Sequence, residues 1–244
     1  MIIIKEIKSK TILSKSKIYP YAINPYLGCQ HGCIYCYARF MKKYSGHSEP
    51  WGNFVDVKTN APELLSKEIA RKKLREVWIS GVCDPYQPLE EKYKITRQCL
   101  VILAEECWPV VIQTKSPLVL RDIDIFKKGG NFQVGFSIAT ADDTIRKLFE
   151  PNAPEIKERI ATLAELHRAG IKTYAMIAPI LPGVEDLGAI LGGKVDYVII
   201  DKMNYNYADW IYRKYGLEDK KTKEFFEKAE KALSQSFKKA GISC

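Results

Sequence analysis

The sequence predicts an α/β fold in which helices cover a largely parallel sheet. Two observations predict it. Short apolar, β-branched runs recur along the chain with amphipathic stretches of helical period between them, and 244 residues with a 46% hydrophobic share are enough for one sizeable core. The strand candidates, in order, are Ala22–Leu27, Glu76–Val82, Pro109–Thr114, Phe132–Ile138, Lys172–Ala178 and Val195–Asp201. Between the second and third, Tyr93–Glu105 sets Ile95, Cys99, Ile102 and Leu103 on one helical face. Between the fourth and fifth, Pro154–Arg168 does the same with Ile156, Ile160, Leu163 and His167, with Asn152 and Pro154 as its start and Gly170 as its stop. Alternation of this kind suits a doubly wound sheet and a closed or partial barrel equally, and periodicity alone does not choose.

One domain is expected over residues 1–244, with an N-terminal extension at 1–20, a core at 21–203 and a helical tail at 204–244 that is Tyr-rich and then Lys/Glu-rich. No window approaches the roughly 18 apolar residues of a membrane span, and Ile alternates with Lys at the start, so the expected place is the cytoplasm. Seven cysteines, an odd number with three inside eight positions, suit a metal site in a reducing compartment better than a disulfide framework. A net charge of +9 favours polyanions as partners, DNA or RNA among them. The Lys220–Lys239 run also carries Glu224, Glu227 and Glu230, so part of that charge belongs to a mixed ion network.

The segment Asn24–Tyr37 places Cys29, Cys33 and Cys36 on a glycine-bearing loop. Three thiolates at spacings of four and three can each take one corner of an iron–sulfur cube, which leaves the fourth iron without a protein ligand. A structural zinc site needs a fourth donor, for which His31 or His47 is available, so zinc stays open here. A ferredoxin would want a fourth cysteine nearby.

Cys-x3-Cys-x2-Cys with Tyr35 before the last cysteine, opening a βα series, resembles the radical S-adenosylmethionine (SAM) superfamily. Within it the chain is similar to the group related to spore photoproduct lyase, often labelled DNA repair photolyase-like. The matching pieces are Asn24–Phe40, Ile79–Glu90, Gln113–Asp122, Gly135–Thr140, Thr144–Pro154 and Ala169–Gly183, in order over residues 20–200. The resemblance implies a partial (β/α)6 TIM-like barrel, a [4Fe–4S] cluster on Cys29, Cys33 and Cys36, and SAM chelated to the open iron. It implies SAM contacts from Tyr35, Ser80, Gly81, Asp84, Lys115 and Ser137, and an external electron donor of the ferredoxin or flavodoxin type. Tyr35, Tyr37 and Cys83 match positions thought to return a hydrogen atom to the product radical.

Cys99 and Cys107 read as packing, and the Asp142, Asp143, Arg146 and Glu150 group reads as a capped, solvated helix start, with the ribose or substrate side of the pocket as the alternative. Spore photoproduct lyases carry more chain at both ends, so the resemblance carries the radical chemistry and leaves the substrate open. The expected reaction is hydrogen abstraction from a nucleic-acid base. A small-molecule or peptide substrate is one alternative. A non-catalytic, zinc- or iron–sulfur-stabilised nucleic-acid-binding protein is another, and an iron–sulfur carrier a third.

Overall fold

The computed structural model describes residues 2–129 and 131–244. The chain divides into two compact units, one of Met1–Gly32 with Tyr37–Val134 and one of Cys33–Cys36 with Gly135–Cys244.

The first unit holds two sheets. In one, β1 (Ile3–Ile7) runs parallel to β5 (Phe54–Lys58), with Ile3 opposite Phe54, and β4 (Tyr26–Leu27) lies antiparallel on the other edge of β5. In the other, the order is β2 (Leu13–Lys15), β3 (Tyr21–Ile23), β6 (Val77–Ile79) and β7 (Val110–Thr114), followed by the first half of β8 (Phe132–Ser137). β3, β6 and β7 are parallel, and β2 is antiparallel to β3. Val77, Ile79, Val110 and Ile112 are buried, as expected of strands covered on both faces. Helix Ile95–Glu105 supplies Cys99, Leu100 and Leu103 to that core, so Cys99 packs as expected.

In the second unit the order is the rest of β8, then β9 (Lys172–Ile177) and β10 (Tyr197–Ile200), with β9 and β10 parallel. A Cβ on Gly135 of β8 would come within 2.0 Å of the Tyr174 ring, which stacks on Tyr197 at 5.0 Å, so only glycine fits that strand position. The C-terminal helix, Lys223–Lys239, buries Phe226, Ala229, Leu233 and Phe237 at helical spacing and turns its lysines outward.

Five sequence expectations change. Residues 1–20 are not a strandless extension: they contain β1 and β2, short and largely exposed strands in which Lys5, Glu6, Ser14 and Lys15 cut the apolar runs short. β5, also unexpected, is the buried centre of the small sheet. The first strand candidate is two strands in different sheets, divided at Asn24–Pro25, because a proline cannot donate to a ladder. Helix Ile156–Arg168 starts later than Asn152. Pro154 holds the residue before it extended, and the cap is Glu155 in a reciprocal box with Glu158. Cys107 is exposed, in a left-handed backbone turn after its helix, and so is not the packing residue expected.

No helix among the described residues is long and apolar enough to cross a membrane.

Candidate functional site

The cysteine loop leaves β4 through Gly28, whose φ of +90° and whose closeness to the Phe54 carbonyl oxygen, 2.3 Å from where a Cβ would sit, admit no side chain. Cys29 follows, buried, and its carbonyl accepts from the Gly32 N–H at 3.2 Å. Gly52 packs so closely on Gly32 that a Cβ would reach its Cα at 2.9 Å. Two glutamines fasten this turn to the loop after β6. The Gln30 N–H donates to Gln87 Oε1 at 2.9 Å, the Leu89 N–H donates to Gln30 Oε1 at 2.7 Å, and Gln87 Nε2 donates to the Gly28 carbonyl at 3.3 Å.

Asp84 is the knot of that loop. Its carboxylate accepts from Thr114 Oγ1 at 2.7 Å, the Lys115 N–H at 2.8 Å and the Tyr86 N–H at 2.9 Å, and lies 3.2 Å from His31 Nε2. Both oxygens are thus taken by protein donors, which makes Asp84 a fastening for the ends of β6 and β7. Burial pushes its carboxyl up, but the His31 ring and the hydrogen bonds more than reverse this and hold it at about 2. The folded value lies below the ordinary 3.8, so the stability this group contributes is full above about pH 4 and is lost as pH falls through about 2. That contribution is expected to be about 2 kcal/mol, and to vanish from the acid limb in Asp84→Asn. Urea midpoints followed downward from pH 5 check it, and parallel acid limbs for the two proteins would contradict it.

Ser80 Oγ donates to Asn24 Oδ1 at 2.9 Å and lies 2.9 Å from Cys83 Sγ, while Asn24 Oδ1 also accepts from the Val82 N–H at 3.0 Å. The Tyr37 hydroxyl donates to the Gly81 carbonyl. Tyr37 is therefore tied at Gly81 to the loop that carries Cys83. Burial pushes the Cys83 thiol up to about 11, against smaller opposing pulls from Ser80 and Lys58, so at neutral pH it keeps its S–H. Lys115 is half-buried just beyond β7.

In the second unit the Cys36 N–H donates to the Cys33 carbonyl at 3.1 Å and the Ile34 N–H to the Phe149 carbonyl at 2.8 Å. The Tyr35 hydroxyl donates to Glu150, and burial followed by that carboxylate pushes the phenol well above its usual range. Glu150 pairs at 2.5 Å with Arg159, which is fully buried and also donates to the carbonyls of Pro154 (2.9 Å) and Ser137 (3.0 Å). Ser137, buried at the end of β8, is thus tied to this pair through its backbone. Asp142 does cap helix Asp143–Phe149, accepting from the Thr144 N–H at 2.7 Å, and Asp143 pairs with Arg146. Glu150 and Arg146 depart from the solvated reading: Glu150 is buried and committed to Tyr35 and Arg159, and Arg146 is buried and donates to the carbonyls of Glu150 and Ala153 as well as to Asp143.

Sequence reasoning missed Gln30, Gln87 and Arg159, and had His31 only as a zinc donor. Arg159 falls on the buried helical stripe Ile156, Arg159, Leu163, Leu166, a signal that a purely apolar search discards.

The donor set suits an iron–sulfur cluster: three thiols on a glycine turn, two of them buried. Among the described residues no three His, Cys, Asp or Glu side chains close on the point a single ion would occupy. A cube takes each thiolate on a different iron and does not require that closure.

Residues 23–187 match the Radical SAM superfamily. The chain belongs to that family. It is 37% identical over 217 residues to an uncharacterized protein of Methanocaldococcus jannaschii, covering 88% of this chain and 80% of the relative. A Mycobacterium tuberculosis relative is 32% identical over 178 residues, covering 70% of this chain and 52% of its own length. A Pseudomonas phage M6 protein named radical SAM Nalpha-GlyT isomerase is 26% identical over 163 residues, which are 66% of this chain and 33% of the phage protein. Among solved structures, spore photoproduct lyase complexed with a dinucleoside spore photoproduct aligns with a TM-score of 0.74 at 17% identity, over 98% of this chain and 81% of the lyase. A variant of that enzyme with bound AdoMet gives 0.73 at 16% identity, over 99% and 81%. The fold is therefore the radical SAM α/β fold shared with spore photoproduct lyase, and the chain is a radical SAM enzyme whose family implies a [4Fe–4S] cluster and SAM.

Proposed function

We propose that this enzyme abstracts a hydrogen atom from a nucleic-acid base and that Cys83 gives a hydrogen atom to the product radical, the thiyl left behind being restored through Tyr37 by one electron from the external reductant and a proton. Cys29, Cys33 and Cys36 would hold the cluster, and a [4Fe–4S] cluster with SAM would supply a 5′-deoxyadenosyl radical there. Ser80 and Gly81 would take the SAM ammonium through the loop after β6, with Asp84 holding that loop in place. Lys115 and Ser137 would take the carboxylate. Tyr35, pinned through its hydroxyl, would offer its ring to the adenine. An external reductant of the ferredoxin or flavodoxin type and a reducing, cytoplasmic setting complete the reading.

The observation that carries it is that the Tyr37 hydroxyl is bonded at Gly81 to the loop that carries Cys83. A thiol that stays protonated at neutral pH has a hydrogen atom to give, and the Tyr37 phenol, hydrogen-bonded to the same loop, could replace it and be restored in turn by an electron from the external reductant and a proton. Support for a base as substrate comes from the dinucleoside held by spore photoproduct lyase, the GlyT named for the phage relative, and the net charge of +9.

Anaerobic reconstitution followed by product analysis with DNA, RNA and metabolite pools tests the reading. Release of 5′-deoxyadenosine together with a changed base is the expected result. Cys83→Ala is expected to leave SAM cleavage intact and to lower correct product per 5′-deoxyadenosine by roughly tenfold or more, the scale of one positioned transfer group. An unchanged ratio retires the relay, and a colourless protein loaded with zinc retires the radical chemistry.

A further inference from the structure

The segment that leaves β10 carries an unusual set of exposed rings. Tyr205, Tyr207, Trp210 and Tyr215 are 37–48% exposed, while Met203, Ala208, Ile211 and Tyr212 in the same segment are buried. The segment therefore anchors itself through four buried side chains and leaves four rings at the surface. Tyr205 and Tyr207 stack nearly parallel, 5° apart with centroids at 5.6 Å, so their outer faces are flat and fixed. The same segment carries exposed cations, Lys202, Arg213 and Lys214, with the Lys214 ammonium 5.5 Å from the Tyr215 ring centroid. The one carboxylate between Lys202 and Gly216 is Asp209, which Lys221 pairs.

The place fits a ligand surface as well as the composition does. The Asp201 N–H donates to the Ile177 carbonyl at 3.1 Å and its carbonyl accepts from the Ile180 N–H at 2.9 Å, so the segment starts from the carboxyl ends of the parallel strands β9 and β10. Ligands of parallel α/β sheets bind at that end.

From these observations, and resting on the reading of a nucleic-acid substrate, we infer that Tyr205, Tyr207 and Trp210 form a stacking platform for the unpaired bases of single-stranded nucleic acid. Base faces are available for stacking only where the strand is unpaired, and every base has such a face, which gives binding without sequence preference. The interleaved Lys202, Asn204 and Asn206 break up the apolar surface that a protein partner would need, and the cations suit a phosphate backbone.

The test is fluorescence anisotropy of the reconstituted full chain with labelled oligo-dT and oligo-U of about 15 nucleotides and a duplex of the same length. Single strands are expected to bind more tightly than the duplex, and the DNA and RNA arms tell which strand is preferred. The double variant Tyr205→Ala, Tyr207→Ala is expected to weaken binding roughly tenfold or more, and the double Phe variant to stay within about twofold. Lys214→Gln is expected to reduce the salt slope by about 0.7. Substrate-free release of 5′-deoxyadenosine should be the same in all variants, which shows that they are folded and loaded. Alanine variants that bind like the parent, or a parent that prefers the duplex, overturn the platform and leave the nucleic-acid substrate standing. A parent that retains no oligonucleotide at low salt overturns both.

Discussion

Arg159→Leu is expected to lower stability by about 3–5 kcal/mol, the cost of removing one partner from a buried ion pair, with a fall in Tm of roughly 10 °C. The guanidinium is fully buried, meets Glu150 at 2.5 Å and serves the carbonyls of Pro154 and Ser137. Without it a carboxylate that also accepts from the Tyr35 hydroxyl stays inside the protein with no guanidinium to balance its charge, and the carbonyls of Pro154 and Ser137 each lose a donor. The double variant Glu150→Gln, Arg159→Met is expected to recover much of the loss, because no uncompensated charge is left behind. Thermal melts of the three proteins decide it. A single variant that melts within about 2 °C of the parent would mean that the pair holds nothing together. Because Tyr35 lies between Cys33 and Cys36, the same pair steadies the backbone that carries two of the thiols.

That pair also shows where sequence reading stops. The parallel strands β6 to β10 were legible because strands buried on both faces are written as apolar runs, and the turn after each was legible from Gly, Pro and polar residues. β1 and β5 were not, since their pairing joins residues some fifty positions apart and half of β1 faces water. The cysteine loop was legible because three thiols at fixed spacing report a chemistry that few other patterns do. What holds the loop was not: Gln30, Gln87 and Arg159 are polar types that sequence statistics assign to the surface, and only the fold tells that each is spent on a buried partner. Glu150 was grouped with its helix neighbours for the same reason. Asp142 caps the helix start and stays near water, whereas Glu150, one residue past Phe149, turns inward.

Replacing Cys29, Cys33 or Cys36 by Ala, one at a time, is expected to remove the visible iron–sulfur absorption and to cut 5′-deoxyadenosine release by more than about a hundredfold, since loss of a supporting residue around a metal site already costs 10- to 100-fold. Cys99→Ala, Cys107→Ala and Cys244→Ala are expected to keep both signals. Cys99 is buried in helix Ile95–Glu105, so its variant loses some stability through the deleted sulfur and nothing more, while Cys107 and Cys244 are exposed and should tolerate the change. The contrast matters because all six thiols are chemically alike, and only position separates ligands from packing. Iron and acid-labile sulfide per chain, read with the absorption spectrum, give the answer. A Cys33→Ala protein with the parent's iron, sulfide and colour would show that these thiols are not the ligands, whatever the fold.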